Sequence, residues 1–258
     1  MCTVSYAGRS DTGRQRSANQ DRWGVDVEQG LYIVADGVAG SSDGALAAQL
    51  VIDLLPDYLR RRGRPEVDDG ADQLGRAVGE LSDDLHAQGR SDPGIAGATS
   101  TVVAAVITGS RALIAHLGDS RAYLFRDAKL DQLTRDHSLI QALIDAGDVA
   151  IEDANKHPAR VVVTRFVAMN PPALPDVTKV DLHAGDRILI CSDGLHGVVG
   201  GPNLAQILGA HGDPAEACDA LIEAANDAGG PDNITTVVID ISARTTADSN
   251  TAEQQQIS

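Results

Sequence analysis

At 258 residues, 43% hydrophobic and 22% charged, the chain holds enough apolar material for one substantial core, and its length does not demand a second domain. Its net charge of −16 repels phosphate backbones and anionic lipids, which argues against nucleic acid or a membrane surface as the main partner. No run of about 18 apolar residues is present to span a bilayer, MCTVSYAGRSDTGR lacks the apolar core of a secretory signal, and Cys2, Cys191 and Cys218 form no C-x-x-C pair. A cytoplasmic chain with reduced thiols, and without a disulfide framework or thiolate zinc site, is expected.

In chain order, LYIVA (31–35) reads as a strand, followed by helical periodicity in GALAAQLVIDLLPDYLRRR (44–62) and ADQLGRAVGELSDDLHAQ (71–88). The runs STVVAAVI (100–107), ALIAHLG (112–118) and RAYLFR (121–126) read as strands joined and followed by the short polar links TGSR, GDSR and RDAK. Links of that length make antiparallel hairpins, not crossovers. HSLIQALIDAG (137–147) is helical, DRILICS (186–192) is a strand, and DPAEACDALIEAANDAGG (213–230) is a helix that Asp213 can cap, Pro214 can begin and Gly229 can end. ITTVVIDI (234–241) closes the pattern as a strand. Residues 1–242 are expected to form one domain, and 243–258, which have almost nothing to bury, a polar tail. Helices outside antiparallel sheets fit better than a doubly wound parallel sheet.

Asp36 follows LYIVA, Asp119 follows ALIAHLG, Asp193 follows DRILICS and Asp232 precedes NITTVVIDI. One Asp-Gly after a strand is ordinary turn chemistry. Four acids at the mouths of apolar strands converge if the strands lie side by side, and their repulsion then calls for cations or protons. Such hard oxygen ligands suit Mg²⁺ or Mn²⁺ better than zinc. Other chemistries fail on the letters. DGVAGSSDG has the wrong glycine spacing for a dinucleotide loop. A cysteine-nucleophile phosphatase loop would want an arginine six positions on, where Cys191, Cys2 and Cys218 meet Gly197, Gly8 and Ala224. H-E-x-x-H, G-x-S-x-G and P-loop motifs are also lacking.

The ordered stretches SDTGRQRSANQD, ADGVAG, GATSTVVAAV, AHLGDSRAYLFRD, LTRDHS, HPARVVVTR, GDRILICSDGL and GGPDNITTVVI resemble the metal-dependent protein serine/threonine phosphatases of type 2C, in their bacterial form, up to about Ser242. The resemblance implies an α+β fold: a four-layer α-β-β-α sandwich with two central antiparallel sheets and an acidic metal site at one edge. It implies two Mn²⁺ or Mg²⁺ ions per chain, with room for a third. Asp36 would bridge both, the Gly37 carbonyl would be a further ligand, and Asp193 and Asp232 would bind the second. Asp119, with Asp193, would hold the third. Arg16 would grip the substrate phosphate with its forked guanidinium. Asn233 would support the ligands, Asp136 and His137 are landmarks, and Ser138 to about Val163 matches a flap beside the cleft.

Three letters depart from the family. Val38 stands where many eukaryotic members have a histidine. Gln20 replaces a carboxylate in the usual Asn-Glu-Asp, keeping an acceptor oxygen without the charge, and Asp21 can compensate. The chain also continues HGVV after SDGL, without the usual aspartate. The implied function is hydrolysis of phosphoserine and phosphothreonine in proteins, substrates of a serine/threonine kinase, by attack of a metal-activated water, and a monomer is expected. The alternatives are a catalytically weak regulatory module that binds a phosphoprotein or kinase, and a phosphatase of small phosphoesters.

Overall fold

The computed structural model describes residues 2–38, 43–63 and 69–243, so the tail beyond 243 lies outside the described residues. Two five-stranded antiparallel sheets stack face to face. One has the order β1 (Cys2–Asp11), β10 (Ile234–Ala243), β9 (Arg187–Cys191), β6 (Arg121–Arg126), β7 (Lys129–Gln132). The other runs β2 (Asp21–Asp26), β3 (Leu31–Asp36), β4 (Val102–Thr108), β5 (Arg111–Leu117), β8 (Asp176–Asp181). Helices α1 (Gly44–Arg60) and α2 (Gly70–Gly89) cover the second sheet, and α5 (Gly201–Ala210) and α6 (Pro214–Asp227) cover the first. α3 (Leu139–Ala146) and the one-turn α4 (Asp193–His196) lie beside the strand ends.

The alternation of side chains along each strand produces the layering. In β3, Tyr32 and Val34 point into the seam between the sheets, where they meet Ile188, Ile190, Val237 and Ile239, while Leu31 and Ile33 face α1 and α2. β9 and β10 divide likewise, with Leu189, Cys191 and Val238 packed against α5 and α6. Strands buried on both faces read as unbroken apolar runs, and for that reason they stand out in the sequence. Helix starts follow local chemistry too: Asp43 accepts from the Leu46 N–H, and Asp213 from the Ala215 and Glu216 N–H groups ahead of Pro214.

Two expectations are corrected. TGSR and RDAK do join antiparallel neighbours, but GDSR carries the chain from β5 in one sheet to β6 in the other and is no hairpin. β1, β2, β7 and β8 are additional strands; β8 alternates exposed and half-buried residues at a sheet edge. No described helix is long and apolar enough to cross a membrane.

Arg187, at the start of β9, is 6% exposed. It donates to both carboxylate oxygens of Asp240 (2.5 and 2.7 Å) and to the carbonyls of Leu208, His211 and Gly212. Arg187→Leu leaves a half-buried carboxylate and three carbonyls without their donor, and its unfolding free energy in urea should fall by about 3 kcal/mol. A loss under ~1 kcal/mol would show that Asp240 and the carbonyls find water instead.

Candidate active site

Asp21, Asp36, Asp119, Asp193 and Asp232 meet at one edge of the sandwich, each held by the end of a rigid element. Asp36 ends β3 and faces Asp21, the first residue of β2. Asp119 lies in the crossing from β5 to β6, Asp193 begins α4 just after β9, and Asp232 precedes β10. The backbone of Asp36 is fixed by its neighbour β4: its N–H donates to Thr101 Oγ1 (3.1 Å), and its carbonyl accepts from the Thr101 N–H (2.7 Å) and Ser100 Oγ (2.9 Å). Thr101 Oγ1 is also 2.7 Å from Ser120 Oγ, beside Asp119. α4 reaches the Asp232 turn only because residue 194 is glycine; a Cβ there would lie 1.9 Å from the Asn233 carbonyl oxygen.

Asn233 organises the loop that bears Arg16. Its Oδ1 accepts from the Gln20 N–H (2.8 Å), and its Nδ2 donates to the carbonyls of Thr12 and Ala18 (2.9 Å each). The N–H groups of Arg14 and Gln15 donate to the Gly230 carbonyl, and the Gly37 N–H donates to the Gln20 carbonyl. So placed, Arg16 Nη2 donates to Asp232 Oδ2 at 2.7 Å, and both side chains are partly exposed.

The carboxyls perturb one another strongly. Asp36 is held well above the ordinary carboxylate range by burial, then by the charges of Asp21, Asp193, Asp119 and Asp232. Asp193 is raised well above it by burial, then by Asp119, Asp232 and Asp21. Burial pushes Asp21 up to about 6 against the hydrogen bond that Ser192 Oγ donates at 2.7 Å. Asp119 is also raised to about 6, by burial and then by Asp136. Asp21 Oδ1 and Asp193 Oδ1 are buried with no hydrogen-bond partner. Orphaned carboxylate oxygens in a set of hard donors are what a divalent cation fills, so the residues fit Mn²⁺ or Mg²⁺.

A cavity of about 370 Å³ opens beside Asp119 and Asp193 and is walled by Arg121, Asp136, Ile140, Ile144 and Arg160. Its outer wall is the segment read as a flap, which leaves and rejoins the core at one place: the Leu139 N–H donates to the Val162 carbonyl, and the Thr164 N–H to the His137 carbonyl. Asp136 is paired through both oxygens with Arg121 (2.8 and 2.7 Å). A larger groove, about 500 Å³, runs between α2 and Leu174–Val177 and contains none of these aspartates.

Among the described residues, ligand atoms of His116, His137 and Asp176 also gather within 4.8 Å of one another. Hydrogen bonding argues against a cation there. The Gly118 N–H donates to His137 Nδ1 (3.2 Å), so the ring proton is on Nε2, which donates to Asp176 Oδ2 (3.1 Å). Arg165 already grips both oxygens of Asp176 (2.9 and 3.0 Å). Burial, then His116, lowers His137 to about 4. Burial, then Arg121, lowers His196 to about 3. Both rings are neutral near pH 7.

Residues 8–234 match the model of the Protein phosphatase 2C family, and the chain belongs to that family. It is 36% identical over 241 residues to the serine/threonine protein phosphatase PstP of Mycobacterium tuberculosis, covering 92% of this chain and 45% of that one. It thus spans about half of PstP. The serine/threonine phosphatase stp of Listeria monocytogenes is 33% identical over 236 residues, with 90% of this chain and 94% of that one covered. In structure, the chain superimposes on the catalytic domain of PstP in complex with two manganese ions, with a TM-score of 0.82 at 34% identity, covering 94% of this chain and all of that one.

The strand-mouth pattern alone picks out Asp36, Asp119, Asp193 and Asp232, while Arg16 is picked out only by the family resemblance; Asp21 has only a supporting place in either, although it is 1% exposed at the centre. Ser192, Thr101 and His196 were missed. His196 had one signal, a polar ring directly after SDGL where small residues follow.

A raised carboxyl pKa means that the folded state holds its protons more tightly than the unfolded chain does, so this contribution to stability is full at low pH and lost as pH rises through the folded values. With Asp21 and Asp119 near 6, the melting temperature of chelator-treated protein should decline from about pH 5 to about pH 7.5. A flat profile there would mean that the carboxyls are already ionised at pH 5.

Proposed function

We propose that the chain is a protein serine/threonine phosphatase that hydrolyses phosphoserine and phosphothreonine with divalent cations held at the aspartate edge. The observation that carries the reading is the convergence of Asp36, Asp193, Asp119, Asp232 and Asp21: burial and the neighbouring like charges hold Asp36 and Asp193 well above the ordinary carboxylate range, and one oxygen each of Asp21 and Asp193 is buried without a hydrogen-bond partner. On this reading Asp36 and the Gly37 carbonyl would be among the groups that hold the ions. Asp193 and Asp232 would hold them as well, and Asp119 with Asp193 would offer a weaker third place. When bound, such ions would lower the pKa of a water so that it can attack phosphorus as hydroxide, and would neutralise charge on the phosphoryl oxygens.

The chain's own groups account for the rest. Arg16 stands on the solvent side of Asp232, where its planar fork can pair with phosphate oxygens. Asn233 holds the Arg16 loop in register with Asp232. Position 38 is valine, and among the described residues the Nε2–H groups of His137 and His196 are spent on Asp176 and the Asp119 carbonyl, so neither ring serves as an acid for the departing alkoxide. Water takes that task. A cytoplasmic setting, with Mg²⁺ or Mn²⁺ as the ion, a monomeric state and phosphoproteins of a serine/threonine kinase as substrates belong to the same proposal; the buried free thiols of Cys191 and Cys218 accord with a reducing compartment.

Turnover of a phosphothreonine peptide should appear with Mn²⁺ and vanish in excess chelator. Turnover that persists in chelator would sink the mechanism, and none under any metal would favour the regulatory module. Asp36→Asn should lower kcat/KM at least about 100-fold, more than ~2.7 kcal/mol of transition-state stabilisation. Arg16→Ala should raise KM for the peptide without weakening Mn²⁺ binding, because it removes a cation that competes for Asp232. Weaker Mn²⁺ binding by calorimetry would make Arg16 structural.

A further inference from the structure

The Gly118–Asp119 dipeptide is gripped at both ends by neutral histidines of opposite hydrogen-bonding sense, one accepting the Gly118 N–H and the other donating to the Asp119 carbonyl. Gly118 has φ +113°, and a Cβ there would lie 2.6 Å from Thr101 side-chain atoms, so this backbone is available only to glycine. On one side His137 Nδ1 accepts the Gly118 N–H (3.2 Å), and the His137 N–H donates to the Gly118 carbonyl (3.0 Å). The ring is backed by His116, stacked on it at 4.4 Å, and its Nε2–H is anchored on Asp176, which Arg165 holds. On the other side His196 Nε2 lies 2.9 Å from the Asp119 carbonyl oxygen. A carbonyl only accepts, so Nε2 bears the proton.

His196 ends the same helical turn that Asp193 begins. One four-residue element therefore carries the Asp193 carboxylate at its start and grasps the backbone of Asp119 at its end. The two acids otherwise arrive by separate routes, Asp119 from the crossing between the sheets and Asp193 from β9. The valine- and glycine-rich HGVV that departs from the family pattern thus contains a side chain with a task.

We propose that His196 is a positioning residue that fixes the spacing of Asp119 and Asp193, with His137 as the counter-clamp, and so governs binding of the divalent cation these two carboxylates share. The inference rests on the metal-dependent reading above. Asp119 would otherwise swing on a glycine-preceded link, and the paired oxygens would lose their common focus. Outer partners of ligands typically change metal affinity 10- to 100-fold.

The test is Mn²⁺ calorimetry on chelator-treated full-length wild type, His196→Leu and His196→Gln, with melting temperatures to show that each is folded. Glutamine places an N–H donor at nearly the reach of Nε2, whereas leucine fills the space without one. His196→Leu should weaken the lowest-affinity Mn²⁺ site about 10-fold or more and leave tighter binding nearly intact, and His196→Gln should restore affinity to within about 3-fold of wild type. Independently of metal and of folding in the variants, nitrogen-15 spectra of the wild-type imidazoles at pH 7 should show both His137 and His196 with the proton on Nε2. Wild-type affinity in folded His196→Leu, or an Nδ1–H tautomer at His196, overturns the proposal. If His196→Leu does not fold, failure of His196→Gln to bind as wild type does overturns it. Wild type that binds no Mn²⁺ at all would instead overturn the proposed function.

Discussion

Asp21 and Asp36 stand directly opposite each other in the β2–β3 ladder, and the ends of other elements add Asp119, Asp193 and Asp232 to the same edge. Like charges face to face across a strand pair are destabilising, and at about 4 Å with an effective dielectric near 20 each pair costs on the order of 4 kcal/mol. A folded domain has a net stability of only about 5–15 kcal/mol, so several such carboxylates cannot all ionise together without a counter-charge. Among the described residues Arg16 pairs only with Asp232, and Arg121, whose charge also acts on Asp119, is committed to both oxygens of Asp136. This deficit of positive charge defines the site; protons relieve it in the upward-shifted carboxyls, and divalent ions would relieve it better.

Rigidity is what lets the repulsion persist. Asp36, Asp119, Asp193 and Asp232 are placed where strands buried on both faces begin or run out, so the apolar seam of Tyr32, Val34, Ile188, Ile190, Val237 and Ile239 resists the movement that would let the charges separate. Backbone hydrogen bonds do the finer work. Ser100 and Thr101 pin Asp36, Ser192 ties Asp21 to the end of β9 while accepting from the Thr235 N–H, and Asn233 ties the Arg16 loop to the start of β10. Stability is thereby spent to hold oxygens in one place, as preorganised sites require.

How much of this was legible followed the physics of burial. Strands covered on both faces, such as 31–36 and 234–243, announced themselves as apolar runs, and the acids beyond them were conspicuous for that reason. β1 and β2 carry mixed sequences, CTVSYAGRSD and DRWGVD, because one of their faces is only half covered. β8 is an edge strand with Lys179 and Asp181 exposed, and β7 has four residues, so neither carries enough pattern to be seen. GDSR looked like a hairpin link because length alone does not tell a turn within a sheet from a step between sheets. Asp21 sits in a polar stretch whose burial depends on Ser192, 171 residues away, and His196 depends on a carbonyl at Asp119. Contacts of such range leave no local period to read.

The central claim, that the aspartate edge is a divalent cation site with Arg16 poised over it, is tested most directly by anomalous diffraction from crystals of the protein grown in Mn²⁺. The account predicts anomalous peaks in contact with Asp36 and with Asp193 and Asp232, with the Arg16 guanidinium displaced from Asp232 Oδ2. Peaks confined to His116, His137 and Asp176, or an aspartate edge that binds no Mn²⁺ and retains the Arg16–Asp232 pair, would contradict it.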